Sequence, residues 1–390
     1  MRKESFMLQA ALQSIRFSLL ILLFALQACS STPQPESSAL AQTVKQPIFL
    51  WQVNNPSDPQ DPTFYLYGTM HFKTKEMAYL DKSVIAALKG ADRLFLEVDP
   101  KETTSNGFKA LIYQLGILPQ SVYLKDQLPT ALYRNLEQAL DKKNITGDAR
   151  NNVMKMRPWL AALTLETMNI QANGNQQQYG SEIQLSALAD ELKKPIAGLE
   201  TAEFQIRIFA GSSKRAQEFQ LQEAIDQILG TGKFAAQKQE GDILSISDLN
   251  AVYETGDYRK LDAFARKMAK DPQSRDFYKT VVADRNRGMA QKIAALSKDQ
   301  KRSFAAIGAL HFVGPDNILE LLKKQGLIVK RVSPKGKVDQ IFTPAAQASL
   351  PQSATGWVQV STPAFDVSML GQPVAKDEKT SIKDMPGQYI

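Results

Sequence analysis

Cysteine is almost absent: Cys29 is the single one in 390 residues, so no internal disulfide can form and no cysteine cluster can hold structural zinc. Histidine is nearly as scarce, with only His71 and His311. Long hydrophobic runs are missing too. The longest, residues 17–28 (FSLLILLFALQA), is too short to span a bilayer as a stable helix. Blocks of one charge are also lacking: the formal charge is +7, and the basic residues are scattered through helical stretches. Beyond a pI near 9.2, nothing marks the chain for nucleic acid. No G-x-S-x-G elbow, P-loop, G-x-G-x-x-G or H-E-x-x-H occurs, which removes the serine-hydrolase, nucleotide-binding and helical zinc-protease signatures. No repeat of about 20 to 50 residues appears, which argues against a solenoid.

What is present supports a large folded core, since 43% of residues are hydrophobic and 22% charged. At the start, Arg2, Lys3 and Arg16 precede the apolar stretch and Cys29 follows it at once. Residues 1–28 therefore read as a signal peptide. The tetrad Leu26-Gln27-Ala28-Cys29 resembles a bacterial lipobox, which implies that Cys29 is acylated and becomes the first mature residue. Ser30, in place of an aspartate, favours the outer over the inner membrane, with the protein facing the periplasm. Residues 29–47 form a polar Ser/Pro/Gln tether, and residues 333–390, with one strand-like run at 356–361, form a partly ordered tail.

Between them, residues 48–332 alternate strand-like and helical patterns, as an α/β domain does. Residues 62–67 and 93–98 read as strands flanking a helix at 80–89, a spacing that predicts a parallel crossover unit. Residues 104–192 are mostly helical, 195–200 form a short strand, and 202–298 are helical again. An apolar, glycine-containing strand within 303–312 that finishes at His311, a helix at 317–326 ending at Gly326 and a strand at 327–332 complete a central, mostly parallel sheet with a large helical insertion.

Ligands of such sheets bind at the carboxyl ends of the strands. Four strands here end near a polar residue: His71, Glu97, Glu200 and His311. Two imidazoles and two carboxylates suit a divalent Zn, Mn, Co or Fe ion. Both histidines sit in matching pentads, GTMHF at 68–72 and GALHF at 308–312. Chance placement of Gly and Phe around both is roughly one in 10⁵, so a shared role outweighs two unrelated core histidines. Glu97 reads as a metal ligand, a general base or a helix cap, and Asp99 on the same strand face competes with it. Glu200 reads equally as a rim ligand or as an acid favoured by a helix N-terminus. Arg285 is either an oxyanion or carboxylate clamp or a solvated or salt-bridged helix residue.

The segments GTMH (68–71), LFLEVD with Glu97, KMRPWLAALTL (155–165), GLETAEFQ (198–205), DRNRGMAQKI (284–293) and IGALHFVGPDNILELLKKQG (307–326) together resemble the TraB/GumN family, which includes the Tiki metalloproteases. The resemblance covers residues 48–332 and implies that His71 and His311 are metal ligands and Glu97 a ligand or base. It favours Mn or Co as the ion and a peptide or protein as the substrate, and it implies a core akin to erythromycin-esterase and ChaN-like folds. One departure stands out: Glu182, in YGSEIQL, replaces an aspartate frequent in a Gly-x-Asp motif, keeping the carboxylate with a longer reach. The expected function is a metal-dependent peptidase in which Arg285 steadies an oxyanion. The rivals are a lipoprotein that holds metal, iron or haem without hydrolysis, and a scaffold for a partner protein.

Overall fold

Six strands form one sheet: β1 (Leu50–Asn55), β2 (Asp58–Thr69), β3 (Arg93–Val98), β4 (Ile196–Glu200), β5 (Ser303–Gly308) and β6 (Ile328–Arg331). Their order is β4-β3-β5-β2-β1-β6. The computed structural model describes residues 48–232, 246–299 and 301–332. The leader, Cys29, the tether and the tail with its strand-like run lie outside the described residues.

The four strands from β4 to β2 are mutually parallel, and β1 runs antiparallel to both β2 and β6. The mostly parallel α/β sheet expected from the sequence is therefore present. The expected crossover differs in one respect: β2 and β3 are parallel but not adjacent, because β5 lies between them. That insertion places the ends of β2 and β5 side by side, with Thr69 opposite Gly308.

Alternation along the strands builds the core on both faces. Phe64, Leu66, Phe95, Ala305 and Ile307 point to one face, where the helices Tyr258–Lys270, Asp284–Leu296 and Ile318–Lys324 cover them. Tyr67, Leu94, Leu96, Phe304 and Ala306 point to the other, against the helices Lys82–Gly90 and Ser181–Glu191. The helical insertion has its own apolar centre around Trp159, whose indole N–H donates to the Leu115 carbonyl at 3.1 Å.

One buried polar contact ties a helix to the first G-x-x-H turn. The Tyr253 ring stacks on Phe49 with centroids 5.1 Å apart, and its hydroxyl lies 2.7 Å from the Gly68 carbonyl and 2.8 Å from the Tyr67 hydroxyl. Removing that hydroxyl takes a buried hydrogen-bond donor from the Gly68 carbonyl. Tyr253→Phe is therefore expected to lower stability by about 1–3 kcal/mol, read from the midpoint of urea unfolding. Burial also pushes the Tyr67 phenol up to about 12 from its usual 10.0. The folded protein keeps this proton where the unfolded chain loses it, so stability is full below pH 10.0 and falls as pH rises toward about 12. Denaturant unfolding across that alkaline range should show a shallower decline for Tyr67→Phe than for the native sequence.

Candidate active site

Four parallel strand ends deliver the site. Glu97, the penultimate residue of β3, is 8% exposed. Its Oε1 accepts from the Gly308 backbone N–H at 2.7 Å. Its Oε2 accepts from Arg285 Nη2 at 2.5 Å and from Gln205 Nε2 at 3.3 Å. Burial disfavours its charge, but the Arg285 guanidinium outweighs that and holds the carboxyl well below the usual carboxylate range. Asp99, the competing acid, lies beyond the end of β3. Its carboxylate accepts from the Lys101 N–H at 2.9 Å and caps the helix Pro100–Thr104, so it does not join the cluster.

Glu200 ends β4, and its side chain is 5% exposed. Oε2 accepts from Arg285 Nε at 2.9 Å, Arg285 Nη2 at 2.7 Å and Gln205 Nε2 at 3.1 Å, whereas Oε1 is buried without a hydrogen-bond partner. The helix Ala202–Ala210 that follows takes its cap from Thr201, and Glu102 accepts from the Ala202 N–H. Glu200 thus serves Arg285 and not the helix N-terminus.

Arg285 is buried and ion-paired with Glu97 and Glu200, the salt-bridged alternative and not the solvated one. It enters the helix Asp284–Leu296 directly after a π-helical segment, Lys279–Ala283, a widened turn of the kind that re-aims side chains at functional sites. Its five N–H groups all have acceptors: Nε on Glu200, Nη2 on Glu97 and Glu200, and Nη1 on the Val281 carbonyl and on His311 Nε2, each at 3.3 Å. In this arrangement every Arg285 N–H is engaged by a protein acceptor.

His311 lies on the turn Ala309–Phe312 after β5 and is 6% exposed. Its Nδ1 is 2.6 Å from Asn286 Oδ1, and the Asn286 amide is oriented by its own N–H donating to the Asp316 carbonyl at 2.9 Å. The proton therefore sits on Nδ1, and Nε2 is the acceptor facing Arg285. Burial, with Arg285 adding to it, lowers the imidazole to about 3 and keeps it neutral.

His71, on the turn after β2, is the accessible member, with 40% of its side chain exposed. Its Nδ1 lies 2.9 Å from Glu182 Oε1, the same oxygen that accepts from the Thr69 hydroxyl. Burial pulls its pKa down, but the charge and hydrogen bond of Glu182 outweigh this and raise it to about 9. Glu182 is itself buried in the first turn of the helix Ser181–Glu191, so the longer carboxylate noted in the sequence reaches the first histidine.

The two motif glycines have different steric reasons. A Cβ on Gly68 would press within 3.0 Å of Phe49 and 3.3 Å of the Ala309 backbone. A Cβ on Gly308 would lie 3.2 Å from Glu97 Oε1, 3.5 Å from His71 Nε2 and 3.6 Å from His311 Cδ2. Both imidazoles and the carboxylate therefore converge on one small space over Gly308.

That cradle fits a divalent cation by its donor chemistry. Each histidine has Nδ1 turned to a protein oxygen, the arrangement that orients metal-ligating imidazoles; on His71, raised to about 9, an ion would have to displace the Nε2 proton. Among the described residues, however, no group of three or more His, Cys, Asp or Glu side chains already stands as a ligand set. Arg285 engages Glu97 Oε2 and His311 Nε2, the ring nitrogen that an ion would need.

Sequence reasoning missed Asn286, Gln205 and Thr69. A signal existed for the first two. Asn286 shares a buried stripe with Met289, Ala290 and Ile293, and Gln205 shares one with Ala202, Ile206 and Phe209. An amide at an apolar helix position is a polar group that must find a partner.

Comparison with known proteins agrees with the family suggested by the motifs. Metalloprotease TIKI2 of Xenopus tropicalis is 26% identical over 344 residues, covering 78% of this chain, which spans 63% of that protein's length. Metalloprotease TIKI2 of Danio rerio is 24% identical, covering 87% of this chain and 73% of its own. The uncharacterized protein YbaP of Escherichia coli (strain K12) is 24% identical, covering 70% and 93%. No solved structure matches the chain, so the expected kinship with erythromycin-esterase and ChaN-like cores has no counterpart among these comparisons. The model of the TraB/PrgY/gumN family matches residues 49–331, nearly the whole α/β domain, and the chain belongs to that family.

Proposed function

We propose that the protein is a divalent-metal-dependent hydrolase of peptide bonds, anchored through Cys29 to the outer membrane and facing the periplasm. The observation that carries the catalytic reading is the convergence of His71 Nε2, His311 and Glu97 Oε1 over Gly308. Relatives named metalloproteases support it.

His71 and His311 would hold the ion through their Nε2 atoms and Glu97 through Oε1. A divalent ion there supplies Lewis-acid polarisation of a carbonyl and a lowered pKa of water. Glu182 and Asn286 keep the two imidazoles oriented, each on its Nδ1. Gln205 and the Gly308 N–H position the Glu97 carboxylate. Because Arg285 so strongly favours the ionised form of Glu97, this residue is a weak proton acceptor and acts better as a ligand than as a general base. The exposed edge of His71 gives substrate its approach, while His311 forms the buried floor. Mn and Co are the first ions to test, with Zn and Fe next.

Cleavage of a peptide library with added Mn²⁺ or Co²⁺ is the direct assay. His71→Ala and His311→Ala should each reduce cleavage by at least about 100-fold, and Asn286→Ala should weaken metal affinity by about 10- to 100-fold. Full activity in His71→Ala would eliminate the assignment. Metal uptake without cleavage of any peptide would leave a non-catalytic cation holder in its place. For the anchor, none of the helices among the described residues is long and apolar enough to cross a membrane. Cys29→Ser is expected to move the protein from the membrane pellet to the soluble periplasmic fraction and to abolish incorporation of labelled palmitate. Unchanged fractionation would refute lipid attachment.

A further inference from the structure

The hydrogen-bond inventory of Arg285 leads beyond its role as a counter-ion. A guanidinium has five N–H donors, and all five are spent here, on Glu97, Glu200 twice, the Val281 carbonyl and His311 Nε2. Only one of these acceptors is also a cation ligand with a single lone pair. The His311 ring carries its proton on Nδ1, held by Asn286, so Nε2 has one lone pair to give. It can accept from Arg285 or bind an ion, but not both.

We infer that cation binding at His311 displaces the Arg285 Nη1 hydrogen bond and thereby frees one N–H, so that Arg285 is a donor armed only when the site is loaded. The displacement does not release the side chain. Nε and Nη2 remain on Glu200 and Glu97, and the second Nη1 proton remains on Val281, so the guanidinium keeps its place while one donor opens toward the space beside His311. Empty, the site holds that donor on the ring and offers nothing to an anion. Loaded, it has one N–H free in the space beside His311, available to an anionic oxygen. Arg285 thus serves as an internal competitor for the cation and, once displaced, as a positioning donor. This inference rests on the metal reading given above.

The test uses Co²⁺ as the probe, with binding followed by its visible absorption on the folded protein, so that no turnover is required. Arg285→Lys keeps a positive charge near Glu97 and Glu200 but has no second nitrogen to reach His311. Loss of one competing hydrogen bond predicts Co²⁺ affinity about 3- to 10-fold tighter than in the native protein. Equal or weaker affinity in the lysine variant would overturn the inference, because an arginine that merely positions Glu97 predicts that direction. Should the variant fail to fold, the native protein decides. The slowly exchanging Nη protons of Arg285 are expected in the ¹⁵N spectrum of the metal-free protein, and one should lose its protection when Zn²⁺ is added. Unchanged Nη signals while the His311 Nε2 resonance shifts would refute displacement. If native protein binds neither Co²⁺ nor Zn²⁺, the metal reading itself fails, a result distinct from either of these.

Discussion

A guanidinium taken out of water must be surrounded by acceptors, and Arg285 meets that requirement with three strand ends at once. Glu97 comes from β3, Glu200 from β4, and His311 from the turn after β5. The same carboxylate that pairs with Arg285 also accepts the Gly308 N–H, so the cation's partner and the glycine of the second histidine motif are locked together. Removing any of these groups leaves a buried charge or a buried donor uncompensated. The geometry of the rim is therefore a consequence of charge satisfaction as much as of strand pairing.

The fold supplies what charge pairing alone cannot. Inserting β5 between β3 and β2 sets the two G-x-x-H turns next to each other, although their histidines are far apart along the chain. Apolar residues fill both faces of the parallel strands, so polar groups are confined to the strand ends. The two imidazoles then acquire opposite characters from their neighbours. His71, beside the Glu182 carboxylate and partly exposed, holds its proton readily, whereas His311, buried beside Arg285, stays neutral. On the metal reading proposed above, an ion would meet substrate on the accessible side only.

Much of this was legible in the residues. The run RLFLEV is β3 in full, and the helix Tyr258–Lys270 falls within the stretch 202–298 read as helical. All four strand-end residues named from the sequence sit on the same rim, because apolar runs ending in a polar residue mark the carboxyl ends of buried parallel strands. The position of β5 was not legible, since strand order depends on pairings between distant segments that local pattern does not encode. Nor were the partners of Arg285, which depend on the π-helical turn before it and on two carboxylates from other strands. Glu97 and Asp99 could not be separated by alternation alone. The end of β3 separates them, turning one into the cluster and the other into a helix cap.

The account stands on one ion shared by two histidines. Anomalous scattering at the cobalt edge from crystals soaked in Co²⁺ tests it most directly. One strong peak over Gly308, at roughly 2.0–2.2 Å from Nε2 of both His71 and His311, is the predicted result. A peak bonded to only one of the two rings, or none at this rim, would contradict it.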